Sequence, residues 1–205
     1  MTDEARDLVK QAIRHFRLPT YEEITDVGLY LDQTTRYINE YMFPLSEDMA
    51  ITSSMISNYV KRGLVTSPVH KQYSRDQIAV LICITMVKTI LSLDNIYLLI
   101  HSDVEFNAPK DLYNLFRDDL NASLQEVFGN SEGVVRTNTL ETDSMLLIHN
   151  LTIAIAYKIY IDVCCTAISK QMPMEPPAKR QKAKKQKEPA KKGAKAVSQE
   201  TDVSS

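Results

Sequence analysis

The side chains best suited to contact a nucleic acid are concentrated in one stretch, Ile51 to Tyr73. If a helix begins after an N-cap at Thr52, short polar and cationic side chains recur at helical spacing on one of its faces: Ser53, Ser54, Ser57, Asn58, Lys61 and Arg62. An asparagine amide can pair with the edge of an adenine in the major groove, while hydroxyls and cations hold phosphates. This face, together with Thr52, therefore predicts an interface for double-stranded DNA.

The opposite face of the same helix is apolar, with Met55, Ile56, Tyr59 and Val60 at helical spacing. This face is expected to pack on the rest of the protein, with Tyr59 in the core rather than stacked on a base. Gly63 follows where a helix C-cap favours a residue that can adopt positive φ. Beyond a short linker, three further residues are candidates for contacts with the flanking phosphate backbone: His70, Lys71 and Arg75.

The charge of this stretch differs from that of the remaining folded region. No acidic residue occurs between Asp48 and Asp76, whereas residues 1–178 hold 15 basic and 23 acidic side chains. A local cationic face on an otherwise acidic region favours a phosphate backbone as its partner. The alternative is an ordinary solvated helix face. For the residues after the helix, each taken alone, ordinary surface charge is the simpler interpretation.

The segment ITSSMISNYVKRGLV, residues 51–65, resembles the recognition-helix segment of MerR-type transcription regulators. That family places a small polar residue, a helix with two adjacent aromatics, a basic end and Gly-Leu-Leu in this order. The similarity continues to KQYS at 71–74, which resembles the exit of the family's wing, and to SLDNI at 92–96. The resemblance implies a winged helix-turn-helix and a transcription regulator of the bacterial cytoplasm that acts as a homodimer.

A closer resemblance is to a family of bacterial proteins of unknown function that carry this MerR-like segment. Their lead-ins are similar to LPTYEEI at 18–24 and LYLDQ at 29–33, and the similarity covers most of residues 18–170. The chain departs from the MerR pattern at Ser57, where an arginine is usual, and at Asn58, where the first aromatic is usual; its wing is also shorter. These departures favour a second hypothesis, in which the helix pair is a protein-interaction or scaffold surface.

Helical periodicity predicts the elements that position this face. A first helix is expected over residues 3–16, and a second from an N-cap at Asp26 as far as Met42. The second would be the first member of the helix-turn-helix pair, packed behind residues 53–62.

The chain after the wing predicts further helices. Ser74 and Gln77 form a capping box for a helix over residues 75–91, which is apolar nearly all round and is therefore expected at the centre of the fold. Two more helices are expected, from Ser92 to Ile100 and from Asn107 to Gly129. Residues 130–139 are expected to form a loop.

The last predicted helix, residues 143–169, is apolar enough to suggest a membrane span as an alternative. Its middle includes several polar or charged residues, however, among them His149, Asn150, Lys158 and Asp162. Near the bilayer centre such groups cost roughly a few kcal/mol each. A buried or dimer-interface helix is therefore expected, with Lys158 and Asp162 paired four residues apart.

The remaining reactive side chains form no recognisable catalytic or metal-binding motif. The three cysteines lack zinc-ligand spacing, and Cys164 and Cys165 are expected as a buried pair that fills core volume rather than as a thiol or metal sensor. The four histidines are scattered without partners at ligand spacing, and Asp118 and Asp119 point to different helix faces. Without a phosphate loop, nucleophile elbow or HExxH motif, we expect no enzyme, cofactor or metal.

The end of the chain has a different composition. Between Lys179 and Lys195 there are nine basic residues and one acid, in a context of Pro, Ala, Gln and Ser that cannot bury enough apolar surface to fold. A disordered basic tail is expected over residues 173–205. It could bind nucleic acid without sequence preference, which is a third hypothesis, or serve only to solubilise the protein.

The sequence therefore predicts an all-α fold: a MerR-like winged helix-turn-helix with a reduced wing, inside a helical domain that ends in a long apolar helix and a basic tail. Four parts are expected: an N-terminal helix with its lead-in, the MerR-like domain, a helical core or dimerisation region, and the tail, at residues 1–25, 26–100, 101–172 and 173–205. The expected partner is double-stranded DNA, with a second copy of the chain and without a membrane. The absence of a signal sequence and the unpaired cysteines favour a cytoplasmic location.

Overall fold

Helices form most of the part of the chain that the structure describes, and the expected all-α class is confirmed. The computed structural model describes residues 9, 11, 16–43, 49–102, 108–129 and 142–171. Within these residues the elements with described bounds are β1 (Leu29–Tyr30), α1 (Leu31–Met42), α2 (Ser53–Lys61), β2 (Gln72–Tyr73), α3 (Arg75–Val87), α4 (Leu93–His101), α5 (Pro109–Val127) and α6 (Asp143–Gln171). The first predicted helix lies mostly outside these residues, and the predicted loop at 130–139 and the tail lie outside them altogether.

The helix that was predicted to lie at the centre of the fold is α3. α3 begins at the predicted capping box, in which Gln77 accepts a hydrogen bond from the backbone N–H of Ser74 at 2.9 Å. Nine of its thirteen residues are buried, and it packs against α1, α5 and α6. It ends at Val87 rather than at Leu91, because the N–H groups of the next residues turn to carbonyls three positions back, as in the Thr89-to-Met86 bond at 3.2 Å.

The helix before α2 begins later than expected. Asp26 is exposed and lies outside α1, whose N-terminus is instead marked by Gln33, which accepts the N–H of Tyr30 at 2.9 Å. The preceding pair of residues forms β1, which runs antiparallel to β2 with Tyr30 opposite Gln72. Gly28 permits this pairing, because a Cβ added there would lie 2.9 Å from Cβ of Gln72. Local periodicity could not show a strand whose partner is more than forty residues away.

The last two helices form the other side of the core. α6 packs along α5 and touches α3, burying Ile148, Thr152, Ile155 and Ile159. The predicted pair between Lys158 and Asp162 is present. By its length and composition alone, α6 could also cross a membrane. Its outward side carries exposed apolar residues, described below, so this helix is apolar on two sides.

Candidate nucleic-acid interface

The predicted polar face is present on α2 and is largely exposed. Thr52 is the N-cap, and its hydroxyl accepts the N–H of Met55 at 3.2 Å. Four of the predicted contact residues have exposed side chains on the helix that follows: Ser54, Ser57, Asn58 and Lys61. Apart from a bond of 2.9 Å from the Ser57 hydroxyl to the carbonyl of Ser53, and one of 2.9 Å between the Thr52 and Ser54 hydroxyls, their polar atoms face solvent.

The apolar face of α2 fixes how this polar face is presented. Ile56 and Tyr59 are fully buried, and burial raises the pKa of the Tyr59 phenol, so Tyr59 is a core residue as expected. Gly63 ends the helix at φ 74°, and the N–H of Leu64 then bonds to the carbonyl of Tyr59 at 2.9 Å. The exposed face therefore belongs to a helix held rigidly along its length by burial and at both ends by caps.

Ser53 is placed differently from its neighbours. Its hydroxyl donates to Asp32 on α1 at 2.8 Å and lies 3.0 Å from the hydroxyl of Thr35. The side chain is half-buried between α1 and α2, so it is engaged in packing the two helices and is not presented to a partner. The prediction that Ser53 contributes to the exposed face is corrected accordingly.

Asn39 holds the chain that enters α2 and was not identified from the sequence. Its amide accepts the N–H of Ile51 at 2.8 Å and donates to the carbonyl of Ile51 at 2.9 Å. The two bonds fix the approach to the N-cap from α1. The signal in the sequence is an asparagine in the interior of a predicted helix. Asparagine is unfavourable at such a position, so its presence there suggests that its side chain makes a specific hydrogen bond.

The sequence around α2 contains no acidic residue, but in the folded structure acidic side chains from other elements lie next to this helix. Arg62 ends α2 with its guanidinium 2.6 Å from the carboxylate of Asp94, in the first turn of α4. Asp32 lies next to Ser53, as described above. Acids from other elements therefore reach the cationic helix, and Arg62 is not a free cation. Lys61 is exposed and makes no ion pair with any residue that the structure describes.

His70 and Lys71 form the tip of a tight hairpin. Both have positive φ, 49° and 65°, and the N–H of Gln72 bonds to the carbonyl of Val69 at 2.8 Å, as in a type I′ turn. Both side chains are exposed. We call this segment, residues 69–72, the hairpin tip. A conformation that normally favours glycine or asparagine is occupied here by two basic residues, one of which, Lys71, pairs with no acid among the described residues.

Neighbouring residues fix the hairpin tip to the helices. The side chain of Gln77 donates to the carbonyl of Thr66 at 2.8 Å and thereby holds the segment that leads to the tip. β1 pairs with β2, and Tyr30, whose side chain is 53% exposed, lies opposite Gln72. Tyr30 is an exposed phenol beside the tip, and it belongs to β1 although the sequence placed it within the second predicted helix. It becomes an additional candidate contact residue.

Arg75 is mainly a packing residue. Its guanidinium lies 5.5 Å from the centre of the Tyr21 ring and 3.9 Å from the carboxylate of Asp26. The Tyr21 hydroxyl donates to Asp76, and burial together with this bond raises the pKa of Tyr21 to about 12. Arg75 therefore joins the start of α3 to the lead-in before β1. Its predicted contact with a phosphate backbone would compete with these interactions.

Two expectations about reactive side chains are wrong, and both concern residues of α6, outside this interface. Cys165 is exposed and Cys164 half-buried, so they are not a buried pair. His149 has an acid partner that sequence spacing concealed, because its Nδ1 lies 3.0 Å from the buried carboxylate of Asp119 on α5. Asp118 is exposed on the other side of α5, as expected. In the described part of the chain no three potential ligands come together as a metal site.

Comparison with known proteins adds one finding. The model of a family described as "Domain of unknown function (DUF1836)" matches residues 19–116, which include both strands, α1 to α4 and the first part of α5. This segment is therefore similar to an uncharacterised family, which supports that part of the closer resemblance. Neither the curated proteins nor the solved structures gave a match.

Proposed function

We propose that this protein binds double-stranded DNA through α2 and the hairpin tip and acts as a MerR-like transcription regulator of the bacterial cytoplasm. The supporting observation is that an exposed polar helix face and an exposed basic turn are both fixed to α1. In this proposal α2 enters the major groove, where Asn58 contacts a base edge and Ser54 and Ser57 contact the backbone. The hairpin tip acts as a short wing on the flanking phosphates.

The strained conformation of the hairpin tip supports this role. Two consecutive non-glycine residues at positive φ are unfavourable, and each costs on the order of 1 kcal/mol. Neither side chain repays this cost by burial, because both His70 and Lys71 are exposed. A surface function explains why basic side chains occupy positions where Asn-Gly would be the relaxed choice.

The number of cationic side chains that are not paired with an acid determines how strongly the protein is expected to bind DNA. Lys61 and Lys71 are exposed and make no described ion pair, whereas Arg62 and Arg75 lie near acids. Each neutralised phosphate contributes a slope of about −0.9 to the dependence of log affinity on log salt. Two such contacts per subunit therefore predict modest affinity and a shallow salt dependence, and a second subunit would double the number of contacts.

The outward side of α6 supports a homodimer. Exposed side chains recur along it every three or four residues: Ala154, Tyr157, Ile161, Cys165 and Ile168. Two of these, Tyr157 and Ile161, are each 55% exposed. An apolar stripe with this spacing is typical of a helix–helix seam. Light scattering after size exclusion should give twice the chain mass, and Ile161→Lys should give the monomer, while Leu98→Lys on α4 should not.

A different observation favours the alternative function, a protein-interaction module that does not bind DNA. Asp94 and Asp26 neutralise two of the four cations predicted to hold phosphates. With these pairs intact, the surface around α2 is polar and carries little net charge. Such a surface suits a protein partner better than a polyanion.

The deciding experiment is selection from a pool of random duplexes with the full chain and with residues 1–172, at two salt concentrations. A motif enriched by both proteins and lost in Lys61→Ala/Arg62→Ala supports the proposal. The matched control, Arg17→Ala/Lys110→Ala, removes the same charge from two surface ion pairs and should retain the motif. Binding that requires the tail and shows no motif would support tail-only binding, and no binding by either protein would leave the interaction module.

A further inference from the structure

An apolar cavity lies beside the central helix, α3. Its volume is about 370 Å³, and α3, α4, α5 and α6 all contribute to its wall. Protein interiors are packed as densely as organic crystals, and voids larger than a water molecule are few. Pockets that hold small molecules begin at roughly 300 Å³. The cavity is therefore large for a packing defect and falls within the range of ligand sites.

The cavity has a solvent-accessible mouth and a rigid floor. At the mouth, Ile100 of α4 is 43% exposed and Leu147 of α6 is 38% exposed. The floor is formed by Ile84, Tyr113 and Phe116, all of which are buried. A small molecule can thus enter between the ends of α4 and α6 without unfolding of the central helix.

The chemistry of the wall is almost entirely uncharged. No described residue of the lining carries a formal charge. Burial raises the pKa of the Cys83 thiol to about 12, so it is a neutral thiol at physiological pH. The Tyr113 hydroxyl is already engaged, since it donates to the carbonyl of Pro19 at 2.9 Å. Ser144, in the first turn of α6, makes no side-chain hydrogen bond with the described residues and is the polar group that remains free.

We propose that this cavity binds an uncharged, lipophilic small molecule whose one hydrogen-bonding group points to Ser144. An ionised ligand would lose its hydration without gaining a counter-charge from the wall, and a strongly polar ligand would leave hydrogen bonds unmade. A largely hydrocarbon or aromatic ligand gains from burial of its own surface and of the exposed rim formed by Ile100 and Leu147. The proposal does not depend on DNA binding, because none of the residues that line the cavity belongs to α2 or the hairpin tip.

The test uses two dyes that share one aromatic skeleton and differ in charge. N-phenyl-1-naphthylamine is neutral, and 8-anilino-1-naphthalenesulfonate carries a sulfonate. Fluorescence titration of the full chain should show saturable binding of the neutral dye, with the sulfonate bound roughly tenfold more weakly or worse. Equal affinity for the two dyes would overturn the ligand class, and absence of saturable binding by the neutral dye would overturn the site.

Variants assign the dye to the cavity. Val80→Phe from α3 and Ser144→Phe from α6 each insert a ring into the space, and each should weaken binding of the neutral dye by roughly tenfold. Val163→Phe is the matched control, because Val163 is also half-buried but does not line the cavity. Ser144 lies at the start of a helix and is not fully buried, so its variant remains informative if Val80→Phe fails to fold. A dye that binds all three variants equally lies elsewhere and would refute the assignment.

Protection of Cys83 gives an independent measurement. In a Cys164→Ala/Cys165→Ala background, Cys83 is the thiol that remains, and N-ethylmaleimide should alkylate it slowly because it is half-buried and protonated. Saturating neutral dye should slow this reaction further, because Cys83 lines the cavity. An unchanged rate, together with saturable dye binding, would show that the dye does not occupy this cavity.

Discussion

The guanidinium of Arg62 lies 2.6 Å from the carboxylate of Asp94, so the last cation of α2 is held by the first turn of α4. The pair is exposed, and exposed pairs contribute little to stability, about 0 to 1 kcal/mol. Its consequence for function is larger than that for folding. As long as the pair is intact, the positive charge at the end of α2 is neutralised where the proposed DNA backbone would pass.

Asp94→Asn should therefore increase DNA affinity several-fold and steepen the salt dependence by about one unit of slope, because Arg62 would be free to contact a phosphate. Asp111→Asn is the matched control, since Asp111 is likewise an exposed acid in the first turn of a helix. Fluorescence anisotropy with a selected duplex at several salt concentrations measures both effects. Equal gains for the two variants would mean that only net charge has changed and that Arg62 makes no contact.

The hairpin tip should show a conflict between stability and binding. Replacement of His70 and Lys71 by Asn and Gly suits a type I′ turn and should raise the free energy of unfolding by about 1–2 kcal/mol, because two strained residues are relieved. The same variant should bind DNA more weakly, because the tip loses its lysine. Urea denaturation and anisotropy measure the two changes.

His70→Gly is the control that separates strain from charge at the tip. It relieves one strained position but retains Lys71, so it should stabilise the fold while leaving most of the DNA affinity. If the Asn-Gly variant is no more stable than the unmodified chain, the backbone at the tip is not strained. If its DNA affinity is unchanged, the tip is not a contact.

Features set by neighbouring residues in the chain could be predicted from the sequence. The caps Thr52 and Ser74 were both assigned correctly, because a capping side chain bonds to a backbone group only two or three positions away. The polar and apolar faces of α2 follow from helical spacing in the same way. The all-α class needed no tertiary information.

Features that depend on distant parts of the chain could not be predicted in this way. β1 forms because Leu29 pairs with Tyr73, and the cationic helix meets acid because α4 brings Asp94 next to Arg62. The His149–Asp119 contact and the cavity likewise require the packing of α5 and α6. Sequence spacing gives no measure of these distances, so the candidate face was identified while its electrostatic surroundings were not.

The lead-in before β1 should be sensitive to acid through Glu23. Hydrogen bonds from Arg17 at 2.7 and 2.8 Å and from the Thr20 N–H lower the pKa of this carboxyl from its ordinary 4.5 to about 2. A carboxyl whose pKa is lower in the folded state adds stability above its unfolded value, and this contribution is lost as the pH falls from about 4.5 towards 2. Glu23→Gln should reduce the loss of stability over that interval.

Arg17→Met tests the stated cause of this acid sensitivity. Because the bonds from Arg17 are the largest contribution to the lowered pKa, the variant should remove most, but not all, of the pH dependence that Glu23→Gln removes. The bond from the Thr20 N–H would account for the remainder. Urea denaturation at several pH values between 2 and 5 gives both comparisons. If the free energy of unfolding of both variants depends on pH in the same way as that of the unmodified protein, Glu23 does not contribute to acid unfolding.

The buried carboxylate of Asp119 should make the hydroxyl of Thr152 important for stability. Both residues are buried between α5 and α6, and the Thr152 hydroxyl donates to the Asp119 carboxylate, which also contacts His149. Thr152→Val preserves the shape of the side chain but removes this donor, and hydrogen bonds to charged groups contribute about 1.5–3 kcal/mol. The free energy of unfolding from urea denaturation should fall by about this amount.

Thr152→Ser is the matched control, because it keeps the hydroxyl and deletes only a buried methyl group. Its cost should be about 1 kcal/mol, and thus smaller than that of Thr152→Val. The informative result is which of the two variants is more stable, because valine fills the space better than serine but lacks the hydroxyl. A valine variant that is more stable than the serine variant would mean that Asp119 obtains sufficient hydrogen bonds from its other contacts and does not depend on Thr152.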